Sequence, residues 1–358
     1  MLIAPHPDDE ALACSVVLQR ALRMNVPTSV VYITDGDNNP WPQRVWEKKW
    51  RLNKSDRRRW GRLRRSEACA ALRALGLGDE VAMFLGLPDQ GMTDLLLRER
   101  DSILTRIDRV VRAWNPTDIV APSVFDTHPD HSAVGVILGL VLPRAAAAGV
   151  VIRHWSYLVH GKSPAFSASA VSLAQSEMEA ANKLRAILCH QTQTRLSRRR
   201  FLAYATLPER LGGNGDGKAV DGPICSIRRQ GLMIQLTLRL KLKPWFATDN
   251  QLLLIGRNGR GALSSCRISI PARSTQVEMV DVANGEFLGW ARYTGNAFAG
   301  DMIIPTESFS PSENLFVKLD RGSWFFDEAG WMEVPAAAAL PNISRLESTQ
   351  AAPAAAVR

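Results

Sequence analysis

Two short stretches of the 358-residue chain concentrate side chains able to do chemistry: Pro5-His6-Pro7-Asp8-Asp9-Glu10 and Thr127-His128-Pro129-Asp130-His131. In the first, Pro7 fixes the backbone in a turn, so His6 and Asp9, three positions apart, can converge on one point while Asp8 projects separately. Such geometry suits two ligands and a base. The second stretch repeats the device, with a His-Pro-Asp turn and two histidines three positions apart. Alone, the first box also reads as a helix N-cap in which Asp8 or Asp9 satisfies the opening amide groups and His6 is a loop residue. Two such turns at the exits of two strands point instead to a shared metal ion. Two imidazoles and one carboxylate are what a catalytic zinc takes, because three protein ligands leave the fourth position to water.

The elements that must position these turns come from the hydrophobic pattern. Residues 1 to about 210 alternate β-like runs, Ser29 to Thr34, Val81 to Leu85 and Asp118 to Ala121, with helical patterns such as Ser66 to Leu75 and Arg100 to Trp114. This predicts an α/β unit: a Rossmann-like, mostly parallel sheet with helices on both faces, whose strand C-termini build the site. Met1 to Ala4 leaves room for only a short first strand before Pro5, so that strand is clipped or the start is placed late. Leu211 to Pro223, rich in Gly and Asp, reads as a linker. Beyond it, Leu232, Ile234, Leu236, Leu238, Leu240 and Leu242 alternate with mostly polar residues, the period-two signature of a strand with one buried face. Further strands are expected at Gln251 to Ile255, Gln276 to Val282, Asp301 to Ile304, Asn314 to Leu319 and Ser323 to Phe326. Together they predict a small all-β sandwich over residues 224–334, followed by a disordered Ala- and Pro-rich tail, 335–358.

Composition narrows the function classes. With 46% hydrophobic and 22% charged residues the chain has the balance of a globular protein. The longest apolar run, Ala133 to Leu142, is about half of the roughly 20 residues a bilayer span needs, and no leader pattern opens the chain, so a cytoplasmic location is expected. Five scattered cysteines fit neither a disulfide framework nor a thiolate metal site. Residues 44–65 hold eleven Lys and Arg against Glu47 and Asp56, and their net +9 equals the formal charge of the whole chain. So local a patch, interleaved with Trp41, Trp46, Trp50 and Trp60, argues for one anionic contact and against a nucleic-acid track. Its expected partner is an anionic glycan donor, nucleotide-linked, lipid-linked or acidic, positioned by arginines. No Gly-rich phosphate loop, GxSxG elbow or cysteine nucleophile arrangement is present.

With both boxes on the page, the chain resembles the LmbE/PIG-L-like zinc-dependent N-deacetylases, whose signatures are an (A/P)HPDDE box and a later HPDH box. The resemblance extends over most of residues 1–210: Thr34-Asp35-Gly36 is similar to the family's T-x-G turn, Arg64 to Glu67 to its R-x-x-E helix, Leu85 to Asp89 to its LG-x-x-D segment, and Lys183 to Gln193 to its closing element. It implies that His6, Asp9 and His131 ligate Zn²⁺, that Asp8 is the general base, and that His128 stabilises the oxyanion or protonates the leaving amine. Asp130, placed in the catalytic group, and Asp126 are candidates to orient an imidazole. Some relatives carry a tyrosine near the place of Asp126, so which group assists the carbonyl here stays open. Arg64, Asp89 and Asp126 are the expected substrate contacts. His190 either packs a helix or lines the pocket, and His154 and His160 are expected in the core or at the rim.

These readings converge on a zinc amidohydrolase that removes acetyl from an N-acetylated amino sugar. Two rivals remain: a deacylase of a non-sugar natural-product amide, and a non-catalytic glycan-binding protein with a structural metal. In the latter the β module would bind glycan through Trp245, Trp290, Tyr293 or Trp324; simple packing against the first domain is the plainer expectation for it.

Overall fold

A computed structural model describes residues 1–212, 222–241, 250–322 and 325–336. The expected tail beyond residue 336, most of the expected linker, Trp245 and Trp324 lie outside the described residues. Among the described residues, the N-terminal region is built on seven strands: β1 (Leu2–Ala4), β2 (Val30–Thr34), β3 (Ala82–Leu87), β4 (Asp118–Pro122), β5 (Arg153–Tyr157), β6 (Ala170–Leu173) and β7 (Glu209–Gly212). They lie in the order β3-β2-β1-β4-β5-β7-β6. The first five run parallel, whereas β7 pairs antiparallel with both β5 and β6. Leu211 and Gly212, read from the sequence as linker, belong to β7.

The helices that cover this sheet are α1 (Asp9–Ala13), α2 (Ser15–Arg23), α3 (Pro40–Glu47), α4 (Lys54–Ala74), α5 (Met92–Arg98), α6 (Arg100–Trp114), α7 (Pro129–Ala147), α8 (Pro164–Ser169), α9 (Glu177–Cys189) and α10 (Gln191–Thr206). Because successive strand residues face opposite sides, the central strands feed two cores. Ile3, Val31, Ile33, Ile119 and Ala121 pack with α5, α6 and α7. Leu2, Ala4, Val30, Tyr32 and Val120 pack with α1, α2, α4 and α9. Val30–Thr34 is buried throughout, as a strand covered on both faces must be. Helix α4 starts at a capping box in which Asn53 and Asp56 satisfy each other's backbone amides.

Among the described residues, the C-terminal region is a single antiparallel sheet of nine strands, β8 (Ile224–Gln230), β9 (Met233–Arg239), β10 (Gln251–Arg257), β11 (Leu263–Ser269), β12 (Arg273–Asp281), β13 (Phe287–Asn296), β14 (Ala299–Pro305), β15 (Leu315–Asp320) and β16 (Met332–Glu333). Their order is β16-β15-β10-β11-β12-β13-β14-β9-β8. Residues from both ends of this order, Ile224, Ile234, Val317 and Met332 among them, share one core, so the sheet curls on itself. The expected sandwich thus takes the form of one continuous sheet. In β9, Ile234, Leu236 and Leu238 are buried, as the alternation predicts. The strand expected at Ser323 to Phe326 is not formed at its described end: Phe325 and Phe326 lie outside the sheet.

The two regions meet over α7. One side of this helix lies on the first sheet, and Leu253, Ile255, Leu263, Phe316 and Trp331 of the second region close the other. An α-helix with no polar face is stable only when enclosed, which accounts for the unbroken apolar run Ala133 to Leu142. Gly139 permits the approach, since a Cβ there would lie 2.6 Å from the Phe316 ring. Among the described residues, no helix is long and apolar enough to cross a membrane, and all five cysteines are free.

Candidate active site

The order β3-β2-β1-β4-β5 reverses between β1 and β4, because the chain winds outward in opposite directions from these neighbours. Open α/β sheets hold ligands at this crevice, outside the carboxyl ends of the strands. The two boxes sit there: Pro5 to Asp8 leaves β1, and residues 123–128 leave β4. His128 is the N-cap of α7, its Nδ1 accepting from the Asp130 N–H at 3.2 Å, and Pro129 opens the helix.

The structure brings His6, Asp9 and His131 together. His6 Nδ1 lies 3.1 Å from His131 Nε2, Asp9 Oδ1 is 3.4 Å from His131 Nε2, and Asp9 Oδ2 is 3.8 Å from His6 Nδ1. Donors placed ~2.0–2.1 Å from a tetrahedral zinc are separated by about 3.4 Å, close to these separations; among the described residues, the groups whose donor atoms lie within 4.8 Å of one another are His6, His128 and His131, and His6, Asp89 and Asp130. The far ring nitrogens support the same reading. His6 Nε2 faces Asp130 Oδ2 at 3.2 Å and Asp89 Oδ1 at 3.1 Å, and His131 Nδ1 faces Asp126 Oδ2 at 3.2 Å. Carboxylates at the far nitrogens hold the ring protons there and turn two bare lone pairs toward each other, an arrangement that repels unless positive charge lies between.

Electrostatics agrees. Asp8, Asp9, Asp89, Asp126 and Asp130 are all buried around the two imidazoles. Burial disfavours the charged ring of His6, but the Asp130 and Asp89 hydrogen bonds outweigh it and hold that histidine well above its usual range. His131 is raised likewise: burial opposes charge, and Asp9 and Asp126 overcome it. Asp9, buried between Asp8 and the histidines, is pushed up to about 6. A buried cluster of this sign takes up positive charge, as protons or as a metal. His128 behaves oppositely, since burial and the neighbouring His6 and His131 hold it well below the imidazole range.

Asp8 occupies a backbone conformation, φ 151° and ψ −21°, that an L residue rarely adopts. Its N–H donates to Glu10 Oε2 at 3.0 Å and its carbonyl accepts from Ala11 and Leu12, each at 3.0 Å. Glu10 is anchored in turn by His190 Nε2 at 2.7 Å, which places His190 behind the turn rather than at its mouth. Arg64 Nη2 donates to Asp8 Oδ2 at 3.0 Å and to the Pro7 carbonyl at 2.7 Å, while Nη1 donates to the Gly36 carbonyl at 2.7 Å. The expected substrate contact Arg64 is thus buried and ties two turns together. Gly36, at φ +62°, is required, because a Cβ there would come 1.7 Å from Arg64 Nη1.

The other expected contacts are also placed behind the rings. Asp89 Oδ2 accepts from the Asn38 N–H at 2.6 Å. Asp126 is fully buried and accepts from the backbone of His128, Val159 and His160 besides His131. Asp130, expected beside His128, instead backs His6 and accepts from the Gln90 and Met92 amides at 2.7 and 3.0 Å. Sequence reading missed Gln90, whose side-chain amide lies 3.0 Å from His128 Nε2; its place directly after Asp89 was the available signal. It also left His160 undecided and overlooked Phe326, two rings that pack over the histidines and that no local motif marks. His154 stays partly buried on β5. Of the basic segment, Arg59 is paired with Glu47 and Asp56, Lys49 with Asp56, and Arg65 with Asp35. Trp60 is buried with Trp46 against it, whereas Trp41 and Trp50 face outward around Arg44.

Residues 1–140 match the family described as PIG-L: GlcNAc-PI de-N-acetylase, a span that contains both histidine boxes. No curated protein matches the chain. Among solved structures, the conserved protein TT1542 from Thermus thermophilus is similar at 23% identity, over 60% of this chain and 93% of that one, with a TM-score of 0.43. The N,N'-diacetylchitobiose deacetylase from Pyrococcus horikoshii is similar at 18% identity, over 59% of this chain and 80% of that one, with a TM-score of 0.41. A 4-carboxy-2-hydroxymuconate hydratase, GalB from Pseudomonas putida, is similar at 16% identity, over 59% and 92%, with a TM-score of 0.43.

Proposed function

We propose that this chain is a zinc-dependent N-deacetylase that hydrolyses the acetamide of an N-acetylated amino sugar to free amine and acetate. The observation that carries the reading is the pair of facing ring nitrogens, 3.1 Å apart, with Asp9 beside them and a carboxylate behind each ring. The match of residues 1–140 to a de-N-acetylase family supports the same reaction. Residues 1–210 would form the catalytic unit and residues 224–334 an attached β module.

His6, Asp9 and His131 would hold the ion, which when bound lowers the pKa of a water to about 7 and polarises the amide carbonyl. Asp8 lies beside this set without belonging to it, and Arg64 fixes its carboxylate by a buried ion pair. It would take the proton from the attacking water and deliver it to the amine nitrogen as the C–N bond breaks. With Nδ1 accepting from a backbone amide, a neutral His128 would carry its ring proton on Nε2, with the Gln90 side-chain amide turned to present its oxygen there, and Nε2 would be the donor able to stabilise the oxyanion. Asp126 and Asp130 would act through the imidazoles they orient.

Acetate release tests this proposal. Zinc-restored protein should liberate acetate from at least one of N,N'-diacetylchitobiose, UDP-N-acetylglucosamine and a lipid-linked N-acetyl sugar. Asp8→Asn should lose ~10²–10⁴ of that turnover while retaining metal. Release only from non-sugar amides would assign the chain to natural-product deacylation. Glycan binding without release by either protein would make the metal structural.

A further inference from the structure

The C-terminal module reaches the reaction centre. After β15 the chain leaves the sheet, and the Asp327 N–H donates to the Thr127 carbonyl at 2.8 Å while the Trp331 N–H donates to the Val124 carbonyl at 2.7 Å. Trp331 is fully buried in the core around α7. Gly330 passes so close that a Cβ on it would lie 2.1 Å from the Val124 carbonyl oxygen. Residues 325–331 are therefore clamped to the loop that carries Asp126 and leads into His128.

This clamp holds the Phe326 ring over the histidines. Its centroid is 5.6 Å from that of His128, edge to face, and 5.1 Å from that of His160, while 38% of the residue stays exposed. The Arg200 guanidinium lies 5.6 Å from the same ring and its Nη2 is 3.3 Å from His160 Nδ1. Helix α10 loses helical geometry at Ser197, with φ −125° and ψ 35°. Around that kink Leu196, Ser197, Arg198, Arg199, Arg200 and Ala203 line a depression of about 530 Å³.

We infer that Phe326 and the arginines of α10 form an outer subsite, in which the ring of an N-acetylated sugar stacks on Phe326 and an anionic substituent of that sugar, phosphate or carboxylate, pairs with Arg199 and Arg200. The inference rests on the deacetylase reading and names the substrate class for it. A partly exposed aromatic ring immobilised by two imidazoles is a rigid apolar platform beside the reacting group. Guanidinium forks suit phosphate and carboxylate oxygens. Among the described residues no carboxylate pairs with Arg198, Arg199 or Arg200. Arg199 and Arg200 line the same depression without a counter-charge, which favours an anion there.

Equilibrium titration of zinc-loaded protein with N-acetylglucosamine, N-acetylglucosamine 1-phosphate and N-acetylmuramic acid separates the contributions, and acetate release by the same proteins adds the split between KM and kcat. The Arg199→Gln/Arg200→Gln double variant should weaken whichever anionic sugar binds tighter by about tenfold and leave the neutral sugar within twofold. Phe326→Ala should weaken neutral and anionic sugars alike by roughly five- to tenfold, with KM raised and kcat little changed, and Phe326→Tyr should restore binding. A preference for the 1-phosphate or for the muramic acid identifies the anion. Equal loss for neutral and anionic sugars in the arginine variant, unchanged affinities in Phe326→Ala with unaltered zinc content and melting temperature, or wild-type binding of none of the three would each overturn the subsite. Tight binding without acetate release would keep it and overturn the deacetylase reading.

Discussion

The two halves of the site are built in opposite ways. The inner half comes from two short boxes after β1 and β4, where every proposed reacting group lies within nine residues of a strand exit. The outer half is assembled from His160 after β5, Arg200 on α10 and Phe326 beyond β15, which share no motif. Metal chemistry demands donors at fixed short separations, and a turn after a strand delivers these locally. A binding wall demands only a surface of suitable shape and charge, which distant segments can supply once the fold is closed.

The largest effect should come from the inner half. Chelation of the metal should abolish acetate release, and added zinc should return it; activity that survives exhaustive chelation would remove the contrast. Next in size is the clamp between the halves. Trp331→Ala empties a fully buried site and should cost about 3–5 kcal/mol in denaturant unfolding. Its KM should rise more than its kcat falls. Loss of stability with unchanged KM would make the C-terminal module a packing partner alone. Gly36→Ala should be milder, about 1–3 kcal/mol, because the residue sits at φ +62° and its new methyl group displaces Arg64. Here kcat should fall, since Arg64 fixes Asp8. The smallest effect is expected for Arg59→Ala: its partners Glu47 and Asp56 are engaged at an exposed guanidinium, and solvent-screened surface pairs contribute little to stability. A several-fold rise in KM for anionic sugars in that variant would place the anionic contact on the basic segment.

What the sequence discloses follows the same division. The strand alternation at Ile234, Leu236 and Leu238 was legible because one face of β9 is core and the other solvent. The paired boxes were legible because their spacing is itself the chemistry. By contrast β11 escaped notice: Ser264 and Ser265 are buried, and Ser265 donates to the Leu97 carbonyl at 2.9 Å across the junction with α5, so polar residues occupy a buried strand. Arg64, Asp89 and Asp126, expected as substrate contacts, are buried and held by hydrogen bonds within the site, a detail that sequence does not disclose because it marks a charged residue near a site but not the direction in which it points. Phe326 was read as part of a strand from its β-favouring neighbours, and only the clamp at Asp327 and Trp331 explains why it leaves the sheet.

The central claim, that turns from β1 and β4 share one divalent cation, is tested most directly by metal analysis of purified protein. Wild type, Asp8→Asn and His128→Ala should each retain one equivalent of zinc per chain, while Asp9→Ala and His131→Ala, folded by circular dichroism, should lose it. Full zinc occupancy in His131→Ala, or folded wild-type protein that takes up no divalent ion, would contradict the account.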